Sequence, residues 1–246
     1  MYAIYSTSEI AKKAGVHPNT VRWYEEMGYL PPVARKENGY RIFTDEHVEQ
    51  LKLIKTAFRC EILQSNLREK ATEIILLCAK GKYVEALENA KIYHSAICTE
   101  KEKAEEAVGL VCNFINHQED NQSSLTLKRN ETAKHLDITI DALRNWELNG
   151  LIEVPRKDNG YRLYTDKEIK ELKIIRVLRN ANYSLMAILR MLNQLRSDGN
   201  IIEMRHTLDT PSPDEDIVYV TDKLLTSLGN AESDAIEMIS HISNLK

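Results

Sequence analysis

The sequence predicts a mainly α-helical chain of two like halves, each a small head with a β-hairpin followed by a long coiled-coil helix. Three observations carry this. The segment 35–46 recurs at 156–167 with eight of twelve positions identical. Upstream, Glu9, Ala11, Lys12, Arg22, Glu25 and Gly28 match Glu131, Ala133, Lys134, Arg144, Glu147 and Gly150 at a constant offset of 122. After each copy comes a run of apolar residues at alternating spacings of 3 and 4, the mark of a helix with one buried seam. Such self-similarity is a tandem duplication.

Each element has a local cause. Ser6 with Glu9 reads as a capping box that opens a short helix through Ala14. Gly15 and Val16 make a tight turn. Pro18, at a first helical position, opens a second helix that runs to Met27, and Gly28 stops it. In the second copy Thr139 is the cap and Gly150 the stop. Two short helices joined this way form a helix-turn-helix. The Asn38-Gly39 and Asn159-Gly160 pairs then signal hairpin turns. Thr44 opens a further helix, and Thr165 with Glu168 caps its counterpart. Helix-turn-helix plus hairpin is a winged helix-turn-helix domain, predicted twice.

The first long stripe is Leu87, Ala90, His94, Ile97, Lys101, Ala104, Val108, Val111 and Ile115. The second is Ile217, Thr221, Leu224, Leu228, Ala231, Ala235, Met238, Ile242 and Leu245. Each implies about 42 Å of helix. Ser212, Pro213 and Glu215 read as a capping box with proline at N1, and Pro211 keeps the preceding segment a loop. The expected organisation is a first winged domain over 1–80, a long helix over 81–118 and a linker over 119–125. A second winged domain over 126–197 follows, then a loop and coiled-coil helix over 198–246.

Composition narrows the class. With 246 residues and 43% hydrophobic content, two small packed domains are feasible. No apolar run approaches the roughly 18 residues of a membrane span, and residues 1–8 lack a signal-peptide pattern. A cytoplasmic protein with no membrane partner is expected. The net charge of −4 is unevenly spread: residues 1–60 and 125–196 are net basic, whereas 61–124 and 197–246 are net acidic. Local sign governs what a head attracts, because screening acts within roughly 8–10 Å. Cys60, Cys78, Cys98 and Cys112 show no zinc-type spacing and read as reduced thiols. No P-loop, dinucleotide fingerprint, HExxH or nucleophile elbow occurs, so neither enzymatic activity nor a cofactor is expected.

The motif RWYEEMGYLPP from Arg22, followed by NGYRIF from Asn38, closely resembles the DNA-binding domain of the MerR family of regulators. LRNWELNGLI from Leu143, followed by NGYRLY from Asn159, resembles it a second time. The resemblance implies double-stranded DNA as a partner, and RNA polymerase at the target promoter. It also implies a pseudo-palindromic element with an overlong spacer that is distorted on binding. Family members are usually homodimers with one such domain per chain and antiparallel long helices. Here one chain holds both heads, so a single-chain pseudodimer is favoured over a homodimer with four heads.

Recognition-helix geometry points to Asn19, Thr20, Arg22, Trp23 and Tyr24 as DNA contacts, with Asp141, Arg144, Asn145 and Trp146 in the second copy. Tyr24 and Trp146 also fit a purely core role. Wing residues Arg35, Lys36, Tyr40, Arg41, Arg156, Lys157, Tyr161 and Arg162 fit backbone contacts, which orient without carrying sequence. Lys12 and Lys134 read as solvated. The second copy departs from the first: Asp141 and Ala142 replace Asn19 and Thr20, Asn145 replaces Trp23, and Lys128 replaces Ser6. An asymmetric operator follows. An effector is not legible. Cys78, Cys98 and Cys112 could sense a metal or oxidant, against the reading of inert buried thiols; a small organic ligand between head and coil, or no effector, are the other readings. The alternative function is an architectural, nucleoid-type or recombination-directing DNA-binding protein with the same head. A coiled-coil adaptor is more distant.

Overall fold

The computed structural model describes residues 3–59, 66–116, 125–155, 162–198, 203–211 and 220–245. The first head contains α1 (Thr7–Ala14), α2 (Pro18–Glu26), β1 (Ala34–Arg35), β2 (Arg41–Ile42), α3 (Asp45–Ala57) and α4 (Leu67–Ala79). The long helix α5 spans Tyr83–Asn116. The second head contains β3 (Thr126–Lys128), α6 (Arg129–His135), α7 (Ile140–Leu148), β4 (Leu163–Thr165), α8 (Asp166–Asn180) and α9 (Leu185–Asp198). Then come α10 (Met204–Asp209), a 3₁₀ turn (Val220–Lys223) and α11 (Leu224–Leu245).

The compact units do not follow chain order. One comprises Met1–Thr99 with Leu228–Lys246, the other Glu100–Ser227. In the first, Ile10, Val21, Phe43, Leu51, Ile54 and Ile74 form the core of the head. Buried Gln50 donates to the carbonyls of Tyr29 (2.8 Å) and Ile75 (3.0 Å), tying α3 to the strand-side loop and α4. The C-terminal helix α11 closes on the same head. Arg59 Nη1 lies 2.8 Å from Asp234 and 2.9 Å from Glu237, and Thr56 donates to Glu237 at 3.0 Å. In the second unit, residues of α5 beyond Thr99 pack on the second head. Tyr183 Oη donates to the Ala104 carbonyl at 3.2 Å, Asn182 donates to Glu100 at 3.2 Å, and Arg205 pairs with Glu105 at 2.7 Å.

The caps predicted at Ser6 and Thr139 are present. Glu9 accepts from the Ser6 amide at 2.7 Å, and Thr139 accepts from the Ala142 amide at 3.0 Å. Gly28 and Gly150 hold φ of 72° and 73° as helix stops, the left-handed region open to glycine. Where Gly15 makes the inter-helix turn of the first head (φ 65°), Asp137 makes it in the second at φ 50°. Both turns are tied down by a cation from the third helix: Lys55 Nζ donates to the Ala14 carbonyl, and Arg176 to that of Leu136.

Several expectations are corrected. The Asn38-Gly39 pair does turn the first wing, within a loop one residue longer than the pair. The Gly39 amide bonds to the Lys36 carbonyl and the Lys36 amide to the Tyr40 carbonyl, so residues 37–39 form a three-residue loop with Gly39 in the left-handed position. The last helix begins at Leu224 and measures about 33 Å, preceded by a 3₁₀ turn, and the loop predicted before it contains α10. On α5 the buried seam in the N-terminal part runs through Ala86, Ala90, Tyr93 and Ile97, so Leu87 and His94 flank it. The seam of α11 matches its predicted stripe from Leu224 to Ile242. The Asn159-Gly160 turn, Cys60, residues 119–124 of the predicted linker and the cap at 212–215 lie outside the described residues. Among the described residues no helix is long and apolar enough to cross a membrane.

Candidate nucleic-acid interface

Helix α2 presents Asn19, Arg22 and Trp23 on its outer face, with Trp23 48% exposed. Thr20 is half-buried. His17 caps α2 through Nδ1, which accepts from the Asn19 amide at 3.1 Å. Arg22 Nη1 donates to Asn19 Oδ1 at 2.5 Å, one turn back toward the helix start. This contact holds the guanidinium at the end of α2 that a groove would receive. Tyr24 points inward to Tyr29 and Phe58 and, half-buried, has its phenol pKa raised chiefly by burial.

The wing stands beside this helix because Glu25 holds it there. Arg41 Nε pairs with Glu25 Oε2, and Arg35 reaches Glu25 Oε1 at 3.4 Å. Tyr40 is 70% exposed at the hairpin end, and Lys36 is exposed next to it. A concavity of about 500 Å³ forms where Ser6, Thr7 and Ser8 at the start of α1 face Arg22, Tyr40 and Arg41. Hydroxyls, a helix start and two guanidinium groups around one hollow suit an anionic oxygen cluster such as a phosphodiester.

The second head repeats the plan with altered chemistry. Arg144, Asn145 and Asp141 are exposed on α7. Trp146 is only 6% exposed; it belongs to the core, and the groove contact expected for it is withdrawn. The helix turns its indole inward together with Leu143, one turn earlier. Glu147, the counterpart of Glu25, is more deeply clamped. Arg129 lies 2.6 Å away, Arg162 lies 3.0 Å away, and Tyr164 Oη donates to its other oxygen. Burial, then the hydrogen bond to Glu147, pushes the Tyr164 phenol up to about 12. The first head has Phe43 at this position, which supplies no hydroxyl. Arg156, Lys157 and Tyr161 lie outside the described residues.

Arg41 and Arg162 therefore tie wing to recognition helix, and their guanidinium groups are partly spent on a carboxylate before any ligand arrives. Glu25 and Glu147 were not singled out from the sequence. The available signal was their recurrence within the duplicated motif, three positions before the glycine stop. The Ser6 to Ser8 hydroxyls were noticed only as a cap.

The cysteines separate. Cys78 is buried, and burial alone pushes its thiol up to about 12, which argues for an inert thiol and against a sensor. Cys112 is half-buried with its sulfur 3.8 Å from that of Met204. Cys98 lies near His94 and Glu232. In the second unit, Leu110, Val111, Phe114, Leu136, Ile174 and Val177 line an apolar groove of about 300 Å³.

Comparison with known proteins places the chain in a family. The family described as MerR HTH family regulatory protein matches residues 5–61 and 128–195, together just over half the chain. The HTH-type transcriptional regulator CueR of Salmonella typhi is 44% identical over 50 residues, covering 20% of this chain and 36% of that protein. The mercuric resistance operon regulatory protein of Bacillus cereus is 39% identical over 51 residues, covering 21% and 39%. The HTH-type transcriptional regulator ZntR of Escherichia coli K12 is 33% identical over 66 residues, covering 27% and 47%. The matches thus span between a third and a half of these relatives.

Proposed function

Because the chain belongs to the MerR helix-turn-helix family of regulatory proteins, we propose that it is a non-enzymatic transcription regulator. In this reading it binds a pseudo-palindromic, asymmetric promoter element in double-stranded DNA and distorts it for RNA polymerase. The observation that carries this reading is the paired arrangement of Arg22 and Arg144. Each is exposed on the second helix of its head, beside a wing arginine locked to a glutamate. Such a unit offers one side chain to base edges or phosphate and a fixed wing to the backbone. Bending a 20–30 bp site by 40–90° costs on the order of 1–6 kcal/mol, offset by the wing and phosphate contacts that the bend permits.

The asymmetry rests on Asp141, which puts a carboxylate where the first head offers Asn19. A carboxylate repels phosphate and accepts from cytosine N4, so the second half-site carries a different preferred base. The single-chain pseudodimer is supported by the composition of the two units: each head is packed against a long-helix segment from the other half of the sequence. Between two chains that exchange would build a dimer; here one chain supplies it, at an effective concentration near mM for a short connection.

Selection from a random duplex pool with the full chain tests this reading. The expected result is one composite site with two unlike halves. Arg22→Ala relaxes one half and Arg144→Ala the other, each by about 1–3 kcal/mol of discrimination. Unchanged affinity for the selected site in the double variant would refute the assignment, and broad genome-wide coverage without promoter peaks would favour an architectural role instead. Light scattering of the DNA-free protein should return the monomer mass; a dimer mass removes the pseudodimer.

A further inference from the structure

We propose that His94, Cys98 and Glu232 form a binding site for a soft divalent cation of the zinc class, bridging α5 and α11 within the first unit. This inference is independent of the DNA-binding reading, because none of the three residues lies in the interface described above.

His94 and Cys98 are four residues apart on α5, the spacing that places two side chains on one helix face. Glu232 reaches them from α11. The Cys98 sulfur lies 3.7 Å from His94 Nε2 and 3.8 Å from Glu232 Oε1, and one donor atom from each residue falls within 4.8 Å of the other two. A tetrahedral ion with zinc–sulfur near 2.3 Å and zinc–nitrogen or –oxygen near 2.0–2.1 Å has edges of about 3.5–3.6 Å to sulfur and about 3.3–3.4 Å between nitrogen and oxygen. The two sulfur edges are within a few tenths of an ångström of that already. The remaining His94–Glu232 edge closes by rotamer adjustment of two half-buried side chains.

The chemistry of the set is also selective. Thiolate, neutral imidazole and carboxylate together carry two negative charges, which a divalent cation cancels. A neutral assembly avoids the cost of leaving net charge in a half-buried crevice. Sulfur and imidazole donors favour zinc over magnesium or calcium, which take oxygen sets. The site flanks the seam: Tyr93 and Ile97 on α5, and Ala231 and Ala235 on α11, are buried beside it. Three protein donors leave the fourth position to water or a small exogenous ligand. The bound cation would cross-link two segments far apart in sequence and stabilise their packing by mass action.

The test uses the full-length protein, reduced and metal-free, titrated with zinc chloride against a chromophoric chelator. One equivalent should bind. Cys98→Ser, His94→Gln and Glu232→Gln should each weaken binding by more than about tenfold, while Cys112→Ser leaves it unchanged. Cobalt(II) in place of zinc should give a thiolate charge-transfer absorption that Cys98→Ser abolishes. A second measurement needs no variant: zinc should protect Cys98 of the wild-type chain from alkylation, mapped by peptide mass. The proposal is overturned if the wild-type chain binds no zinc against the chelator. It is equally overturned if zinc binds while Cys98 alkylates at its metal-free rate.

Discussion

The deepest difference between the two heads is the clamp on the recognition-helix glutamate, and it makes a quantitative prediction. Glu147 is 5% exposed and accepts from Arg129, Arg162 and Tyr164. Glu25 is 18% exposed and accepts from Arg41 and the half-exposed Arg35. Hydrogen bonds to a charged partner contribute about 1.5–3 kcal/mol each, and breaking a buried pair costs about 3–5 kcal/mol. Glu147→Gln keeps one carbonyl acceptor, and the arginines, each about one-third exposed, recover water. A net loss of about 2–3 kcal/mol remains. Glu25→Gln loses only about 1 kcal/mol, since water already reaches its partners. For a chain of this size 1 kcal/mol moves Tm by about 2–4 °C, so the two variants should differ by roughly 2–8 °C in calorimetry of the full chain. Glu147→Gln proving no more destabilising than Glu25→Gln would refute the reasoning. Tyr164→Phe, which installs the first head's residue, should fall between them.

Other perturbations are simpler. Asp137→Gly should stabilise the protein by about 0.5–1 kcal/mol in denaturant melts, because Asp137 sits at φ 50°, a conformation costly for residues with a Cβ. A loss of stability would show that its carboxylate contributes more than the backbone costs. Burial holds the His47 imidazole below its ordinary 6.5, and its Nδ1 accepts from the Thr44 amide at 3.1 Å. The unfolded chain therefore takes up the proton first, so the stabilisation is full above about pH 6.5 and is lost as pH falls through the folded value. His47→Gln should flatten that slope in melts at stepped pH; an unaltered slope would assign it elsewhere. Arg59→Ala should cost about 0.5–1 kcal/mol, since the guanidinium is half-exposed where it holds Asp234 and Glu237. It should raise hydrogen exchange along α11, and uniform protection there would exclude the clamp.

What the sequence disclosed was mostly local. Ser6, Thr139, Gly28 and Gly150 act on backbone groups within one turn, so composition and spacing expose them. The stripe on α11 was readable because one period runs unbroken from Leu224 to Ile242. Trp146 read equally as a groove contact or as core, because an amphipathic indole suits either role until α7 is docked. The phase on α5 slipped because small Ala86 and amphipathic Tyr93 were passed over for Leu87 and His94. Asn38-Gly39 located the first wing's turn but not its length, because Asn-Gly serves both two-residue and three-residue loops and only strand register chooses between them. The pairing of Glu25 with Arg41, and of Cys98 with Glu232, is set by tertiary approach across 16 and 134 positions; no window of sequence contains both.

The interleaving of the two units bears on how the polypeptide matures. The first head's wall includes residues from 228 onward, so during synthesis it waits, incomplete, until that segment has been made. Contacts of such long sequence separation form slowly and leave apolar surface open meanwhile. A premature stop near position 227 would therefore damage the first head, far upstream of the residues it removes. Nascent chains stalled there should be the ones that chaperones hold.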